Sequence, residues 1–309
     1  MKRYGHIVLG VALTMTTGLF AQQSGWPPAP GLVTLQLWPG VAPGAPGNQP
    51  AEKDTTTAKD NLIAGKPLVR LGNVSVPTLT LYKAEGKNAS KPAVVVFPGG
   101  GYSILAIDLE GTEVCDWLNS AGITCVLLKY RVPDSGPYPK SPAALQDAQR
   151  AMGLVREHAK EWDIDPNRIG VLGFSAGGHL AAAISTHFEL RLYDPIDGAD
   201  KLSCRPDFGV VVYPGYLALA DKNFAANADI NPTANTPPTF IVQAEDDPVH
   251  VENALVYFQQ LKNAKVPAEL HIYAQGGHGY GLRRTELPVT SWPSSVETWL
   301  HTIKILPAH

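Results

Sequence analysis

Residues 173–177 read Gly-Phe-Ser-Ala-Gly, where a mostly apolar run at 168–173 meets an Ala-rich run that starts at Ala176. A serine with glycine two positions away on each side, at a strand-to-helix turn, has the spacing of an exposed nucleophile. Such a turn strains the central residue and lifts its side chain to the carboxyl edge of the sheet; glycine tolerates the crowding because it has no Cβ. Ser175 would stand at a helix N-terminus, where free N–H groups and the helix dipole favour developing negative charge. The competing reading is an ordinary Gly-rich turn, and the strand and helix on either side argue against it.

A serine hydroxyl is a poor nucleophile unless a base takes its proton, and the chain offers nine histidines. His6 lies in an N-terminal leader, His158, His179 and His187 read as helix-surface or packing positions, His271 falls inside a strand, and His301 and His309 are C-terminal. His250 opens a helix beside acidic residues. His278 differs, because Gln275-Gly-Gly-His278-Gly-Tyr-Gly281 is a Gly-rich loop directly after an apolar strand. Glycine on both sides leaves an imidazole free to approach another loop.

The base needs a carboxylate on its other ring nitrogen to hold the tautomer and stabilise the imidazolium. Glu245-Asp246-Asp247-Pro248 follows the strand at 239–242. Glu245 is disfavoured as nearest the strand, while spacing alone does not separate Asp246 from Asp247, and one of these acids could instead cap the following helix. Chain order is then serine, aspartate, histidine. An oxyanion hole needs N–H donors. Ala176 supplies one, directly after the nucleophile, and the loop Pro98-Gly99-Gly100-Gly101-Tyr102 after an early strand supplies another.

These groups need a scaffold that brings the ends of several strands to one edge. Apolar runs at 93–97, 123–128, 168–173, 208–212, 239–242 and 269–273 read as strands buried on both faces. Helical stretches at 110–120, 142–161, 176–186 and 251–264 lie between them, with a last one at 294–305. Strand and helix in alternation predict an α/β fold, a mostly parallel central sheet with helices on both faces. Thr78-Leu-Thr-Leu-Tyr82 alternates with period two, as a half-buried strand near the sheet edge does. Residues 214–238, rich in Asn, Ala and Pro, predict a loop without a lid domain.

The chain has 309 residues, with 28 acidic against 25 basic side chains and a net charge of -3. That balance excludes an electrostatic nucleic-acid binder. Lys2 and Arg3 precede a mostly apolar run from Ile7 to Phe20, the layout of a secretory leader and too short to span a bilayer comfortably. Three segments follow: a leader at 1–21 cleaved near Ala21, a Pro/Gly-rich arm at 22–67, and a catalytic domain at 68–309. Trp26, Leu37 and Trp38 favour an arm laid over the domain rather than a solvated linker. The mature protein is expected to be secreted or periplasmic, with no stable membrane insertion. Of the three cysteines, Cys125 reads best as a small buried strand residue, with a Cys115–Cys125 or Cys115–Cys204 bridge left open. No metal-ligand spacing, nucleotide loop or flavin motif occurs, so neither a metal nor a cofactor is expected.

The chain resembles the α/β-hydrolase superfamily, and within it the exported carbohydrate-esterase-like enzymes related to acetylxylan esterases and bifunctional acetyl/feruloyl esterases. The stretches that carry the likeness are Leu37-Trp-Pro-Gly-Val-Ala-Pro-Gly44, Phe97-Pro-Gly-Gly-Gly-Tyr102, Tyr130-Arg-Val-Pro133, residues 165–181 around Ser175, Tyr213-Pro-Gly-Tyr216, Asp246-Asp-Pro-Val249 and Gly276-Gly-His-Gly-Tyr-Gly281. The resemblance implies that Asp247, directly before the proline, is the triad acid. It also implies that Gly100 and Gly101 line the oxyanion hole with Ala176. Pro98 stands where the hormone-sensitive-lipase-like branch usually has His, a departure from that branch.

The resulting expectation is a secreted serine esterase that removes acetyl, and also feruloyl, groups from plant polysaccharide such as xylan through an acyl-enzyme. No insertion large enough for a hydrophobic lid is visible, which favours a small acyl group on a large open alcohol. Tyr102, Tyr138, Tyr216 and Tyr280 sit on loops near the carboxyl edge, where they either stack on sugar rings or simply pack the loops. Other readings are a general short-chain carboxylesterase, an arylformamidase-like amidase, and a glycan-binding protein on a retired hydrolase fold; the intact Ser, Asp and His set opposes the last. An ordinary imidazole titrates near 6.5, so activity is expected to decline below about pH 6.

Overall fold

The computed structural model describes Trp26 and residues 29–86, 90–134 and 136–307. The leader at 1–21, its cleavage near Ala21, and His309 lie outside the described residues. The main sheet has eight strands: β1 (Val33–Gln36), β2 (Thr78–Tyr82), β3 (Ala93–Phe97), β4 (Thr124–Lys129), β5 (Ile169–Phe174), β6 (Gly209–Val212), β7 (Thr239–Ala244) and β8 (Ala268–Tyr273). Their order across the sheet is β1-β2-β4-β3-β5-β6-β7-β8. From β4 to β8 every neighbouring pair is parallel, while β2 runs antiparallel to both β1 and β4.

Five strands, β3 to β7, are buried along their whole length, as their continuous Val, Ile, Leu and Phe runs require under two covered faces. The outermost strand β8 is only partly covered. The α-helices of eight residues or more are α1 (Glu113–Ser120), α2 (Ala143–Glu157), α3 (Ala176–Thr186), α4 (Glu252–Asn263) and α5 (Trp292–Thr302), with a single further turn at Ala159–Trp162. The first and last meet through Trp117 and Trp292, whose ring centroids are 5.4 Å apart, and α2 packs beside α3. The expected helix at 110–120 starts three residues late, because 108–112 wind as a wider π turn. Residues 214–238 are mostly loop, with a short antiparallel pair formed by Ala218–Leu219 and Ala225–Ala226.

The Pro/Gly-rich arm adds a strand that sequence reading does not anticipate. Its Pro-free stretch pairs with β2 as the edge of the sheet, a position that leaves the prolines outside the ladder. Leu37 and Trp38 are buried. The Trp38 indole donates to Asp147 Oδ1 (2.8 Å), Arg150 Nε donates to the Leu37 carbonyl (2.9 Å), and Arg131 Nη1 donates to the Pro43 carbonyl (2.6 Å). Consequently β2 is second from the edge and its central residues are buried; Thr80 is accommodated by a 3.2 Å hydroxyl contact with Thr34.

Cys125 is fully buried in its strand, and of the two bridges left open the Cys115–Cys125 one forms. Cys115 on α1 and Cys125 on β4 form a disulfide, because the turn between the two elements brings their backbones together. Cys204 is the buried free thiol and donates to the Phe188 carbonyl at 3.3 Å.

Candidate active site

The parallel strands all end on the same side of the sheet, so the loops after β3, β5, β6, β7 and β8 converge there. Ser175 caps α3 with φ 53° and ψ -116°, a conformation that costs a non-glycine residue of order 1–3 kcal/mol. The close packing around it explains the flanking glycines. A Cβ on Gly173 would lie 1.9 Å from the Gly177 carbonyl oxygen, and one on Gly177 would lie 2.0 Å from the Phe97 carbonyl oxygen. The turn is therefore wedged between β3 and its own helix, and the strain at Ser175 is held by backbone on both sides.

The hydroxyl of Ser175 lies 2.8 Å from His278 Nε2, and His278 Nδ1 lies 2.9 Å from Asp247 Oδ2. The structure thus brings three loops into one hydrogen-bonded line. Asp247 is buried; its Oδ1 accepts from the Val249 N–H (2.7 Å) and its Oδ2 also accepts from Gln243 Nε2 (3.0 Å). With the proton on Nδ1 shared toward Asp247, Nε2 is free to accept the serine proton, the arrangement that activates a hydroxyl for attack on a carbonyl. Ala176 opens α3, so its N–H has no partner within the helix, and Gly100 and Gly101 stand at positive φ in the loop after β3.

The four tyrosines separate. Tyr102 is only 1% exposed, and its hydroxyl contacts His179 Nδ1 at 2.8 Å inside the protein. Tyr280 is 6% exposed and packs edge-on against Tyr213. Neither presents a ring face for a sugar. Tyr138 is partly exposed and packs on His187, at the far end of α3 from Ser175, about 18 Å along the helix axis at 1.5 Å per residue. Tyr216, 40% exposed, is the tyrosine with open surface, and its hydroxyl lies near Gly101.

Sequence reading misses Glu110, Tyr213, Gln243 and the buried role of His179. Glu110 is buried, with its Oε2 accepting from the Gly99 N–H (2.6 Å) and its Oε1 from the Tyr213 hydroxyl (2.8 Å). Burial pushes its carboxyl above the usual range, and the two hydrogen bonds oppose that shift. In sequence Glu110 looks like any acid at the start of a surface helix. Gln243 carries a usable signal, a lone amide in a mostly apolar strand. His179 is buried, which lowers its imidazole to about 3 and keeps it neutral. Among the described residues no cluster of His, Cys, Asp and Glu is placed to hold a metal ion, and no helix is long and apolar enough to cross a membrane.

The structure resembles that of an acetyl ester-xyloside bifunctional hydrolase from Caldicellulosiruptor lactoaceticus, with TM-score 0.69 and 35% identity over 89% of this chain and 97% of the other. The chain belongs to the α/β-hydrolase superfamily, in its carbohydrate-esterase-like branch. Within this α/β-hydrolase the BD-FAE family model matches residues 79–201, which hold Ser175 and the Gly-rich loop, and the prolyl oligopeptidase family model matches residues 199–300, which hold Asp247 and His278. An acetylxylan esterase of Xylanibacter ruminicola is 36% identical over 63% of this chain. An endo-1,4-beta-xylanase B of Butyrivibrio fibrisolvens is 28% identical over 68% of it. The α/β-hydrolase chain spans only 42% and 36% of those two relatives' lengths.

Proposed function

We propose that this α/β-hydrolase is a serine esterase that removes short acyl groups, acetyl first and feruloyl second, from esterified plant polysaccharide such as xylan. The observation that carries the reading is the line from Ser175 through His278 to Asp247, with links of 2.8 and 2.9 Å. His278 takes the hydroxyl proton through Nε2 as Ser175 Oγ attacks the ester carbonyl, and Asp247 stabilises the imidazolium. The N–H groups of Ala176, Gly100 and Gly101 receive the oxyanion. The imidazolium then protonates the departing sugar oxygen, leaving an acyl-serine, and water activated by the same imidazole releases the acid.

A polysaccharide as the alcohol is supported by the exposed Tyr216 beside the Gly-rich loop and by the names of the relatives, an acetylxylan esterase and a xyloside-active acetyl ester hydrolase. Export of the enzyme to meet such a polymer fits the leader pattern at 1–21. Acetate and ferulate release from acetylated and feruloylated xylan tests the proposal. Wild type is expected to release acetate, and Ser175→Ala is expected to release none. Rapid hydrolysis of p-nitrophenyl acetate without acetate from xylan would leave a general short-chain carboxylesterase in place of the polysaccharide reading.

A further inference from the structure

Glu110 lies outside the triad, yet this buried carboxylate holds the oxyanion loop directly and reaches the base loop through Tyr213. Its Oε2 takes the N–H of Gly99, the residue directly before Gly100 and Gly101. Gly99 is pressed between that carboxylate and the serine: a Cβ there would sit 2.6 Å from Glu110 Oε2 and 2.9 Å from Ser175 Cβ. The other oxygen takes the Tyr213 hydroxyl, which in turn accepts the N–H of Gly281 (3.1 Å), three residues after His278. The Tyr213 ring also packs edge-on against the His278 imidazole, with centroids 5.0 Å apart.

A charged or strongly polar side chain is expensive to bury, and this one is held by two acceptor bonds, from the Gly99 N–H and the Tyr213 hydroxyl. We propose that Glu110 is a positioning residue: through Gly99 on one side and Tyr213 to Gly281 on the other, it sets the spacing between the oxyanion loop and the base loop. This rests on the serine-esterase reading above and deepens it. It assigns a structural reason to a carboxylate and a phenol that take no part in proton transfer.

The bridge makes a claim that packing alone does not. If it fixes where the oxyanion donors stand relative to Ser175 and His278, breaking it weakens the chemical step and leaves ground-state binding nearly alone, since small displacements of reacting groups cost on the order of a hundredfold. Glu110 also acts on His278 electrostatically: the ionised carboxylate and the imidazolium attract. The other titratable groups facing Glu110 are Asp108 on its own turn, Tyr213 after β6, Tyr280 in the base loop and Tyr130 after β4. Burial keeps the three tyrosines as neutral phenols, and Asp108 carries the same sign as Glu110.

The test compares Glu110→Gln, Tyr213→Phe, their double variant and Ser175→Ala on p-nitrophenyl acetate across pH. The two bridge variants are expected to lose roughly tenfold to a hundredfold in kcat with KM little changed. The double variant should be no worse than the poorer single, because both changes break one connection. Wild-type kcat in both bridge variants beside an inactive Ser175→Ala would overturn the inference and leave the esterase reading standing. Losses that multiply in the double variant would overturn it too. Full activity in Ser175→Ala would instead sink the esterase reading and this inference with it. Should Glu110→Gln fail to fold, Tyr213→Phe, which keeps the ring, decides through its split between kcat and KM.

Discussion

Asp246 and Asp247 are neighbours in the chain and hold the same loop at two different points. Asp247 Oδ2 meets His278 Nδ1 at 2.9 Å, while Asp246 Oδ1 accepts the N–H groups of Gly276 (2.9 Å) and Gly277 (2.7 Å) just ahead of that histidine. One carboxylate orients the imidazole and the other pins the backbone that carries it. The first is buried and the second exposed, so the two bonds differ in strength: water competes for Asp246 and is excluded from Asp247.

The pair therefore predicts unequal losses. Asp247→Asn should lower kcat by about four orders of magnitude, by analogy with removal of the acid from other serine triads. Asp246→Asn keeps an oxygen acceptor for the glycine amides and should stay within about tenfold of wild type. Steady-state kinetics on p-nitrophenyl acetate measure both, and equal losses would contradict the division of labour.

Backbone crowding at the serine turn makes a second prediction. Gly173→Ala must displace the Gly177 carbonyl or open β3, since its Cβ would stand 1.9 Å from that oxygen. Overpacking of this kind costs about 1–3 kcal/mol or more, and here no flexible side chain can yield. Urea denaturation should show a loss at the upper end of that range, together with lost activity.

Tyr216 and Tyr138 should behave differently on a polymer. Tyr216→Ala is expected to raise KM for acetylated xylan severalfold, an aromatic contact being worth roughly 1 kcal/mol, and to leave p-nitrophenyl acetate hydrolysis nearly unchanged. Tyr138→Ala should alter KM for neither substrate, because its ring packs on His187.

His179 should make the fold sensitive to acid. In the folded chain burial lowers its imidazole to about 3 from 6.5, so below pH 6.5 the unfolded chain binds a proton that the folded chain refuses. Stability is then full above about pH 6.5 and falls as pH drops toward 3, by up to about 1.4 kcal/mol per pH unit from this group. Denaturation midpoints between pH 7 and pH 4 should fall less steeply for His179→Gln than for wild type, by about one proton's worth of slope. Parallel curves would show that His179 contributes nothing to acid lability.

The disulfide closes a short loop, with its cysteines 10 positions apart. Chain entropy assigns such a link about 2–3 kcal/mol. Cys115→Ser, or reduction of the wild type, should lower the melting temperature; Cys115→Ser should then show no further response to reductant, whereas Cys204→Ser keeps the bridge and should respond as the wild type does.

The sequence by itself determined the pieces whose local chemistry leaves few choices. A glycine-flanked serine between an apolar run and an Ala-rich run points to a tight strand-to-helix turn, and continuous apolar runs separated by helical ones point to a covered, mostly parallel sheet. A histidine among glycines after a strand announced a loop free to approach another, because nothing in its own neighbourhood would hold the ring. Tertiary structure decided everything that depended on which face a residue met. Asp246 and Asp247 have the same chemistry and adjacent positions, and only the path of the chain after β7 turned one inward and left the other on the backbone of the base loop. The turn at 108–112 points Glu110 beneath Gly99, which nothing in its sequence neighbourhood announces, and the converging loops cover Tyr102 and Tyr280, deciding for packing between the two roles the sequence left open. The arm became an edge strand because β2 offered it an unpaired ladder. Periodicity and turn chemistry are local and survive in one dimension; burial, pairing and the choice between equivalent side chains arise from contacts between residues far apart in the chain, which no short stretch encodes.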